Sequence, residues 1–173
     1  REMNRASLVN QIGTVVQDPF LFSGTFKDNI RFNHPDVTDQ QIEKVATLVG
    51  ASNFIDRMGG YDSMIEEKGS NLSAGERQLV ALARALVFDP KIIIMDEATA
   101  SIDSHTESVI QKSIEKIFEN RTALVIAHRL STVRNADRII VMSAGEIIEE
   151  GNHSELLRKE GIYHTLYWQN FSE

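Results

Sequence analysis

The sequence contains no cysteine and only three prolines among its 173 residues. Without cysteine there is no disulfide framework and no thiolate metal site, which fits a reducing compartment. Basic residues are in deficit as well, because 18 Lys and Arg stand against 25 Asp and Glu, a net charge of -7. A nucleic-acid-binding surface needs a basic patch, so this balance argues against nucleic acid as the partner.

Long apolar runs are also missing. The run from Ile92 to Met95 has the length of a strand, and no apolar run approaches the ~20 residues that cross a bilayer as a helix. Any membrane role is therefore expected to come from another segment or another chain. The sequence starts at Arg1, with neither an initiator methionine nor a signal peptide, and we interpret this start as a fragment boundary.

Strand-like and helix-like segments alternate along the chain. Apolar spacing and capping signals predict helices at 39–49, 53–61, 79–86, 104–118 and 130–135. Short β-branched runs predict strands at 12–16, 91–95, 122–126, 138–142 and 147–149, the last two joined by a hairpin turn. This alternation predicts an α/β domain with a largely parallel sheet, and such a sheet binds ligands at the carboxyl ends of its strands.

Two carboxylates, Asp96 and Glu97, follow the apolar run of the predicted strand at 91–95. Asp96 can hold Mg²⁺ as a hard oxygen ligand. Glu97 can accept a proton from, or orient, the water that attacks a γ-phosphate. Alone, an acidic pair after a strand is more often a solvated strand end or a helix cap, so the pair gains weight only from its neighbours.

A polar segment at 71–78 leads directly into a predicted helix. The Ser73 hydroxyl and the backbone amides of Ala74 and Gly75 would form an anion site there, because free N–H groups and the helix dipole both favour phosphate. Ser73 and Glu76 also have the spacing of a capping box, which accounts for both residues without a ligand. The two interpretations are compatible.

Two further polar side chains follow predicted strands. Gln17 comes after the first strand, where its amide can contact Mg²⁺ or the attacking water. His128 comes after the strand at 122–126, where an imidazole can hydrogen-bond a γ-phosphate or orient a catalytic carboxylate. Taken singly, each is more often an ordinary loop residue.

The order of these motifs resembles that of the ATP-binding cassette (ABC) ATPase family, and the resemblance covers essentially the whole chain. Four such motifs in this order would rarely coincide. Gln17 is similar to the Q-loop glutamine, and Leu72–Glu76 is similar to the family signature. Asp96–Glu97 resembles the Walker B pair, Ser101–Asp103 the D-loop, and His128 the H-loop histidine.

The resemblance implies a P-loop NTPase-like ABC ATPase fold, a mostly parallel sheet flanked by helices, with a helical subdomain. It divides 1–173 into a core strand at 1–16, a region with Q-loop, helical subdomain and signature at 17–88, and a region with Walker B, D-loop, H-loop and C-terminal helices at 89–173. ATP and Mg²⁺ are the implied ligands. The implied catalytic residues are Glu97, His128 and Gln17, the metal ligands are Asp96 and Gln17, and the nucleotide contacts are Ser73, Ala74, Gly75, Glu76 and Asp103.

Finer features resemble the exporter branch of the family, namely the stretches at 20–30, 96–103, 128–132 and 149–157. In exporters the helical subdomain contacts the transmembrane partner. Phe20, Phe22 and Phe26 are therefore candidates for a docking surface, and a place in the core is an equal alternative for any one of them.

Two features depart from the family pattern. No Gly-x-x-x-x-Gly-Lys-Ser/Thr occurs, so the phosphate-binding P-loop is absent. We interpret this as truncation and expect the isolated chain to be inactive. The signature has Ala74 and Glu76 where the common form has glycine and glutamine. The Glu76 carboxylate is expected to weaken phosphate binding unless Arg77 or the helix dipole compensates.

These observations favour the ATP-hydrolysing domain of a membrane exporter, held at the cytoplasmic face by a transmembrane domain and paired with a second ABC ATPase domain. Glu76 gives a slight preference for a heterodimer over a homodimer. The alternatives are a soluble ABC ATPase of DNA repair or chromosome organisation, an importer ATPase and a non-hydrolysing regulatory cassette. The acidic charge argues against the DNA-repair or chromosome ATPase, and the exporter-like stretch at 20–30 argues against the importer ATPase. Glu97 and His128 argue against the regulatory cassette.

Overall fold

The computed structural model describes residues 4, 8–32, 34–96, 104–127 and 130–171. The chain forms two compact units, one of residues 1–126 and one of residues 127–173. In chain order, the first unit contains β1 (Ile12–Val15), β2 (Gly24–Thr25), α1 (Phe26–Arg31), α2 (Asp39–Val49), α3 (Ser52–Arg57), β3 (Met64–Ile65), a 3₁₀ turn (Glu67–Gly69), α4 (Ala74–Leu86), β4 (Ile92–Asp96), α5 (Ser104–Phe118) and β5 (Thr122–Ile126). The second unit contains α6 (Leu130–Arg134), β6 (Ile139–Ser143), β7 (Glu146–Gly151), α7 (His153–Arg158) and α8 (Ile162–Phe171).

A three-stranded parallel sheet in the order β1–β4–β5 is the framework of the first unit. β4 is the central strand, and side chains alternate between its two faces, so that Ile93 and Met95 are buried. The predicted α/β fold with a parallel sheet is confirmed. The predicted strand at 91–95 begins one residue too early, and β4 instead extends to Asp96.

Gly13 lets β1 approach the end of α4 closely. A Cβ atom at this position would lie 2.5 Å from the Ala85 carbonyl oxygen and 3.0 Å from Cγ of Pro90. Real Cβ atoms are not found so close to a backbone oxygen, so any side chain here would force the strand and the helix apart. Glycine is thus required by the packing of β1 on α4.

α4 is the central helix of the first unit, and its middle is buried on almost every side. It packs against α1, α2, α5 and β1. The sheet and the helices before α4 share one hydrophobic core, in which Val15, Phe26, Ile42, Leu82 and Ile93 are among the buried members. α2 begins at the predicted capping box, where the Thr38 hydroxyl accepts from the Gln41 N–H and the Gln41 side chain accepts from the Thr38 N–H.

Residues 127 and 130–171 of the second unit form an antiparallel hairpin, β6–β7, and three helices. Val141, Leu156 and Tyr163 form its own buried core. The predicted hairpin is therefore present, and helices follow it at the C-terminal end of the described residues. Among the helices in the described part of the chain, none is both long enough and apolar enough to cross a membrane.

Candidate functional site

The carboxyl ends of β1, β4 and β5 lie at one edge of the parallel sheet. Strand pairing sets Val15 opposite Met95 and Asp96 opposite Ile126. Gln17 follows Val15 by two residues, so the Gln17 and Asp96 positions come to the same edge. Gln17 is exposed and Asp96 is half-buried. Both are therefore placed where an open α/β sheet binds its ligand.

The predicted site residues Glu97, Asp103 and His128 lie outside the described residues. Of the predicted set, the described members are Gln17 and Asp96 at the sheet edge and the residues at the start of α4. Within the described ranges, no group of three or more His, Cys, Asp or Glu side chains is arranged to hold a metal ion.

Asp96 and Gln17 offer one carboxylate and one amide oxygen, both hard donors. Mg²⁺ is usually held by only one or two protein oxygens and shares its remaining positions with water and substrate phosphates. The donor chemistry at this edge therefore suits Mg²⁺ accompanied by a phosphate ligand, and these two side chains are the candidates to hold it.

The start of α4 is a capping box, as the spacing of Ser73 and Glu76 predicts. The Ser73 hydroxyl accepts from the Glu76 N–H at 3.2 Å, and Oε2 of Glu76 accepts from the Ser73 N–H at 2.9 Å. The N–H groups of Ala74 and Gly75 belong to the first turn, where a helix supplies no backbone acceptor. These two amides are the candidate anion contacts at the helix start.

The second carboxylate oxygen of Glu76 contacts a cation that sequence reasoning missed. Nη2 of Arg57, at the end of α3, lies 2.6 Å from Oε1 of Glu76. Arg77, the cation suggested by the sequence, instead donates through Nη1 to the Leu72 carbonyl oxygen at 2.7 Å. Arg57 and Glu76 are 19 residues apart, and no local spacing rule indicates such a pair.

Three exposed rings form an aromatic patch, which we define as Phe20, Phe22 and Phe32. Phe22 lies edge-on to Phe20 and stacks on Phe32, with ring centroids 5.0 and 5.2 Å apart. Of the two alternatives left open for Phe26, the structure shows the core, because Phe26 opens α1 with its ring buried and edge-on to Phe54. Phe32, which ends α1, was not predicted and takes its place.

Arg84 of α4 fixes the backbone beneath the aromatic patch. Its guanidinium donates to the Phe20 carbonyl oxygen, to the Asn29 carbonyl oxygen and to Oδ1 of Asn29, each at 2.8 Å. The same group lies over the rings of Phe22 and Phe32, at 5.7 and 5.0 Å from their centroids. Burial lowers the pKa of Arg84, yet an arginine stays charged at neutral pH.

Asn29 completes this arrangement from α1. The side chain is almost fully buried and pairs with the Phe22 backbone in both directions, accepting from its N–H at 3.0 Å and donating to its carbonyl at 2.9 Å. The sequence signal for Arg84 was its position as a charged residue within the otherwise apolar stripe of α4. The signal for Asn29 was weaker, because an isolated asparagine in a polar stretch is ordinary.

The family model described as ABC transporter matches residues 1–100 of this chain. The chain belongs to the ABC transporter family. Three ABC relatives are between 44% and 53% identical to it over the aligned residues. An uncharacterized ABC transporter ATP-binding protein of Bacillus subtilis, YknV, is 53% identical over 99% of this chain and 29% of its own length.

A second B. subtilis relative, the probable multidrug resistance ABC transporter ATP-binding/permease protein YheH, is 49% identical over 95% of this chain and 25% of its own length. The ATP-dependent lipid A-core flippase of Desulfotalea psychrophila is 44% identical over 96% of the chain and 29% of its own length. This ABC chain therefore spans less than a third of each of these relatives.

Among solved structures, a bacterial Atm1-family ABC exporter with ATP bound superposes with a TM-score of 0.87 at 37% identity. The match covers 97% of this chain and 30% of the exporter chain. The fold of this ABC chain is thus the fold of the ATP-binding part of an exporter.

Proposed function

We propose that this chain carries the Q-loop, signature and hydrolytic residues of an ABC exporter ATPase, which splits ATP to drive a substrate across a membrane. The observation that carries the proposal is the convergence of Gln17 and Asp96 at one sheet edge, in a fold that matches an ATP-bound exporter. Membrane association would come from a transmembrane domain and would hold the ATPase at the cytoplasmic face.

In the proposed reaction a water oxygen bonds to the γ-phosphorus and the bond to the β–γ bridging oxygen breaks. Glu97 takes the proton of the attacking water, and His128 hydrogen-bonds the γ-phosphate. Asp96 and Gln17 would hold Mg²⁺, which would supply positive charge that neutralises the phosphates. These roles follow from matching each residue to the family motifs.

The proposed partners are a second ABC ATPase domain and the transmembrane domain. In the pair, Ser73, Ala74 and Gly75 at the start of α4 meet the γ-phosphate of the nucleotide on the opposite domain, together with Asp103. Free first-turn amides and the helix dipole support this role for α4. The aromatic patch is the proposed contact for the transmembrane domain, because three clustered exposed rings on a braced backbone suit a stable docking surface.

The slight preference for a heterodimer rests on an asymmetry within the chain, because Glu97 and His128 are of the hydrolytically competent type whereas the signature carries Glu76. A carboxylate in the signature would make the opposite ATP site the weaker one. Arg57 compensates part of the Glu76 charge, which reduces the difference expected between the two sites.

Substitution of Glu97 tests the proposed hydrolysis directly. Because no P-loop motif occurs in the 173 residues, we expect this chain alone not to hydrolyse ATP, and the test uses the full-length protein. Glu97→Gln should retain ATP binding and lower kcat by about 100-fold or more, since general-base catalysis contributes that much. Glu119→Gln, at an exposed position beyond α5, is the matched control and should keep normal turnover.

Near-normal hydrolysis by the Glu97→Gln protein would contradict the assignment of the catalytic carboxylate. Saturable ATP binding without turnover in the unsubstituted protein would instead favour the non-hydrolysing regulatory cassette. ATP binding is followed with a fluorescent nucleotide analogue and hydrolysis by phosphate release.

A further inference from the structure

Both carboxylate oxygens of Glu76 are engaged, although this residue stands where the common signature has a neutral glutamine. Oε2 accepts from the Ser73 N–H at 2.9 Å, and Oε1 lies 2.6 Å from Nη2 of Arg57. The Glu76 side chain is only 16% exposed, whereas that of Arg57 is 71% exposed. The carboxylate is therefore held at the helix start through both oxygens, one by the Ser73 N–H and one by the exposed Arg57 guanidinium.

We propose that Arg57 is a positioning residue that neutralises Glu76 and so keeps the signature usable for a phosphate. The inference rests on the proposed function, in which the start of α4 meets the γ-phosphate of the opposite nucleotide. A glutamine would leave this helix start with the positive end of its dipole uncompensated, which favours an anion. Glu76 and Arg57 together carry a net charge of zero, which is the charge that a single glutamine would have.

The serine of the capping box stays available under this arrangement. Its hydroxyl oxygen accepts from the Glu76 N–H at 3.2 Å, which uses a lone pair and leaves the O–H hydrogen free to be donated. Capping and phosphate binding therefore draw on different atoms of Ser73. The negative charge of Glu76 would repel a phosphate at this helix start. Arg57 is the group that compensates this charge.

Arg57 rather than Arg77 has this role because the two guanidinium groups have different partners. Arg77 follows Glu76 directly in sequence, but its Nη1 donates to the Leu72 carbonyl oxygen at 2.7 Å and braces the loop before α4. Arg57 comes from α3, a separate helix, and its contact with Glu76 ties that helix to the signature. Removing Arg57 would leave Glu76 charged and in place, since the Ser73 N–H still holds it.

A double-mutant cycle in the full-length protein tests the proposal. The four proteins are the unsubstituted one, Arg57→Gln, Glu76→Gln and the double variant Arg57→Gln/Glu76→Gln, and KM for ATP and kcat are measured for each. Arg57→Gln should raise KM on the order of tenfold, because an unpaired carboxylate then faces the phosphate, with a smaller effect on kcat. The double variant should bring KM back to the unsubstituted value or below.

Lys44→Gln is the control for the loss of a surface cation, because Lys44 is an exposed residue of the neighbouring helix α2. It should leave KM unchanged. A purely structural role of Arg57 would lower thermal stability in the Arg57→Gln protein and would leave KM for ATP unchanged at temperatures where the protein stays folded. Rescue of KM by the second substitution is therefore the readout that a structural role cannot produce.

The outcomes separate this proposal from the proposed function. A normal KM in Arg57→Gln, or a raised KM that the double variant retains, overturns the role of Arg57 while ATP hydrolysis by the unsubstituted protein still stands. Absence of ATP hydrolysis in the unsubstituted protein overturns the proposed function, and the role of Arg57 with it.

Discussion

Arg84 is a charged side chain within a helix whose other central residues are almost all buried. Burying a guanidinium is tolerated only when its donors find acceptors. Arg84 meets this condition with two backbone carbonyls and the Asn29 amide oxygen, and it also covers the rings of Phe22 and Phe32. One residue of α4 therefore holds together the loop at Phe20, the helix α1 and the aromatic patch.

Arg84→Lys tests this bracing at the level of one side chain. Lysine keeps the charge but lacks the planar fork that reaches three acceptors at once, and it stacks less well on rings. We expect the free energy of unfolding of the domain to fall by about 2 kcal/mol. Urea denaturation followed by circular dichroism measures the difference.

Arg134→Lys, at an exposed arginine, is the control and should change the stability little. Equal stability of Arg84→Lys and the unsubstituted protein would contradict the bracing role.

The long elements could be predicted from sequence, whereas the short ones could not. The predicted helix at 104–118 matches α5, and the predicted strand at 122–126 matches β5, because each has a sustained apolar pattern that its backbone period satisfies. α1 and the β2–β3 pair escaped prediction. β2 and β3 are two-residue strands about 40 residues apart, so only the tertiary fold brings them together.

The same distinction applies to the candidate site. Ser73 and Glu76 are three residues apart, and local spacing was enough to predict their capping box. Arg57 reaches Glu76 from a different helix, so its pairing depends on how α3 packs and has no signature in the sequence. Phe26 begins the short helix α1 and Phe32 follows its last residue. Which of the two rings is buried depends on the face that α1 turns toward the core, and the sequence does not show this.

Gly13→Ala tests the contact between β1 and α4. The new methyl group would clash with the Ala85 carbonyl oxygen, and backbone atoms on both sides would have to shift. Overpacking of this kind costs roughly 1–3 kcal/mol, so we expect a loss of about 2 kcal/mol in the free energy of unfolding. Thr14→Val, at the exposed next position of β1, is the control and should be tolerated. A fully stable Gly13→Ala protein would show that the strand and helix can separate without cost.

At the scale of the whole molecule, the described residues form two units, each with its own hydrophobic core. Gln17, Asp96 and the start of α4 all belong to the first unit. A pair of ABC ATPase domains would use these two parts of the first unit differently. The sheet edge would serve the domain's own nucleotide, while the helix start would serve that of its partner.

Expression of the full-length subunit alone tests how the pair is composed. For a heterodimer we expect the subunit by itself to hydrolyse ATP weakly, and coexpression with its natural partner to raise turnover by about tenfold or more. Size-exclusion chromatography with light scattering and phosphate release are measured on the same samples. A stable homodimer with full activity would contradict the heterodimer and leave the capping box as the sufficient reason for Glu76.

The contacts of Arg84 also link the aromatic patch to the start of α4 through one helix. Arg84 lies eleven residues after Ser73, which corresponds to about 16 Å along the axis of a helix. A packed helix is stiff over this length, so its two ends cannot move independently. Because the guanidinium binds the backbone beneath the aromatic patch to this helix, the patch and the capping box at Ser73 keep a fixed separation.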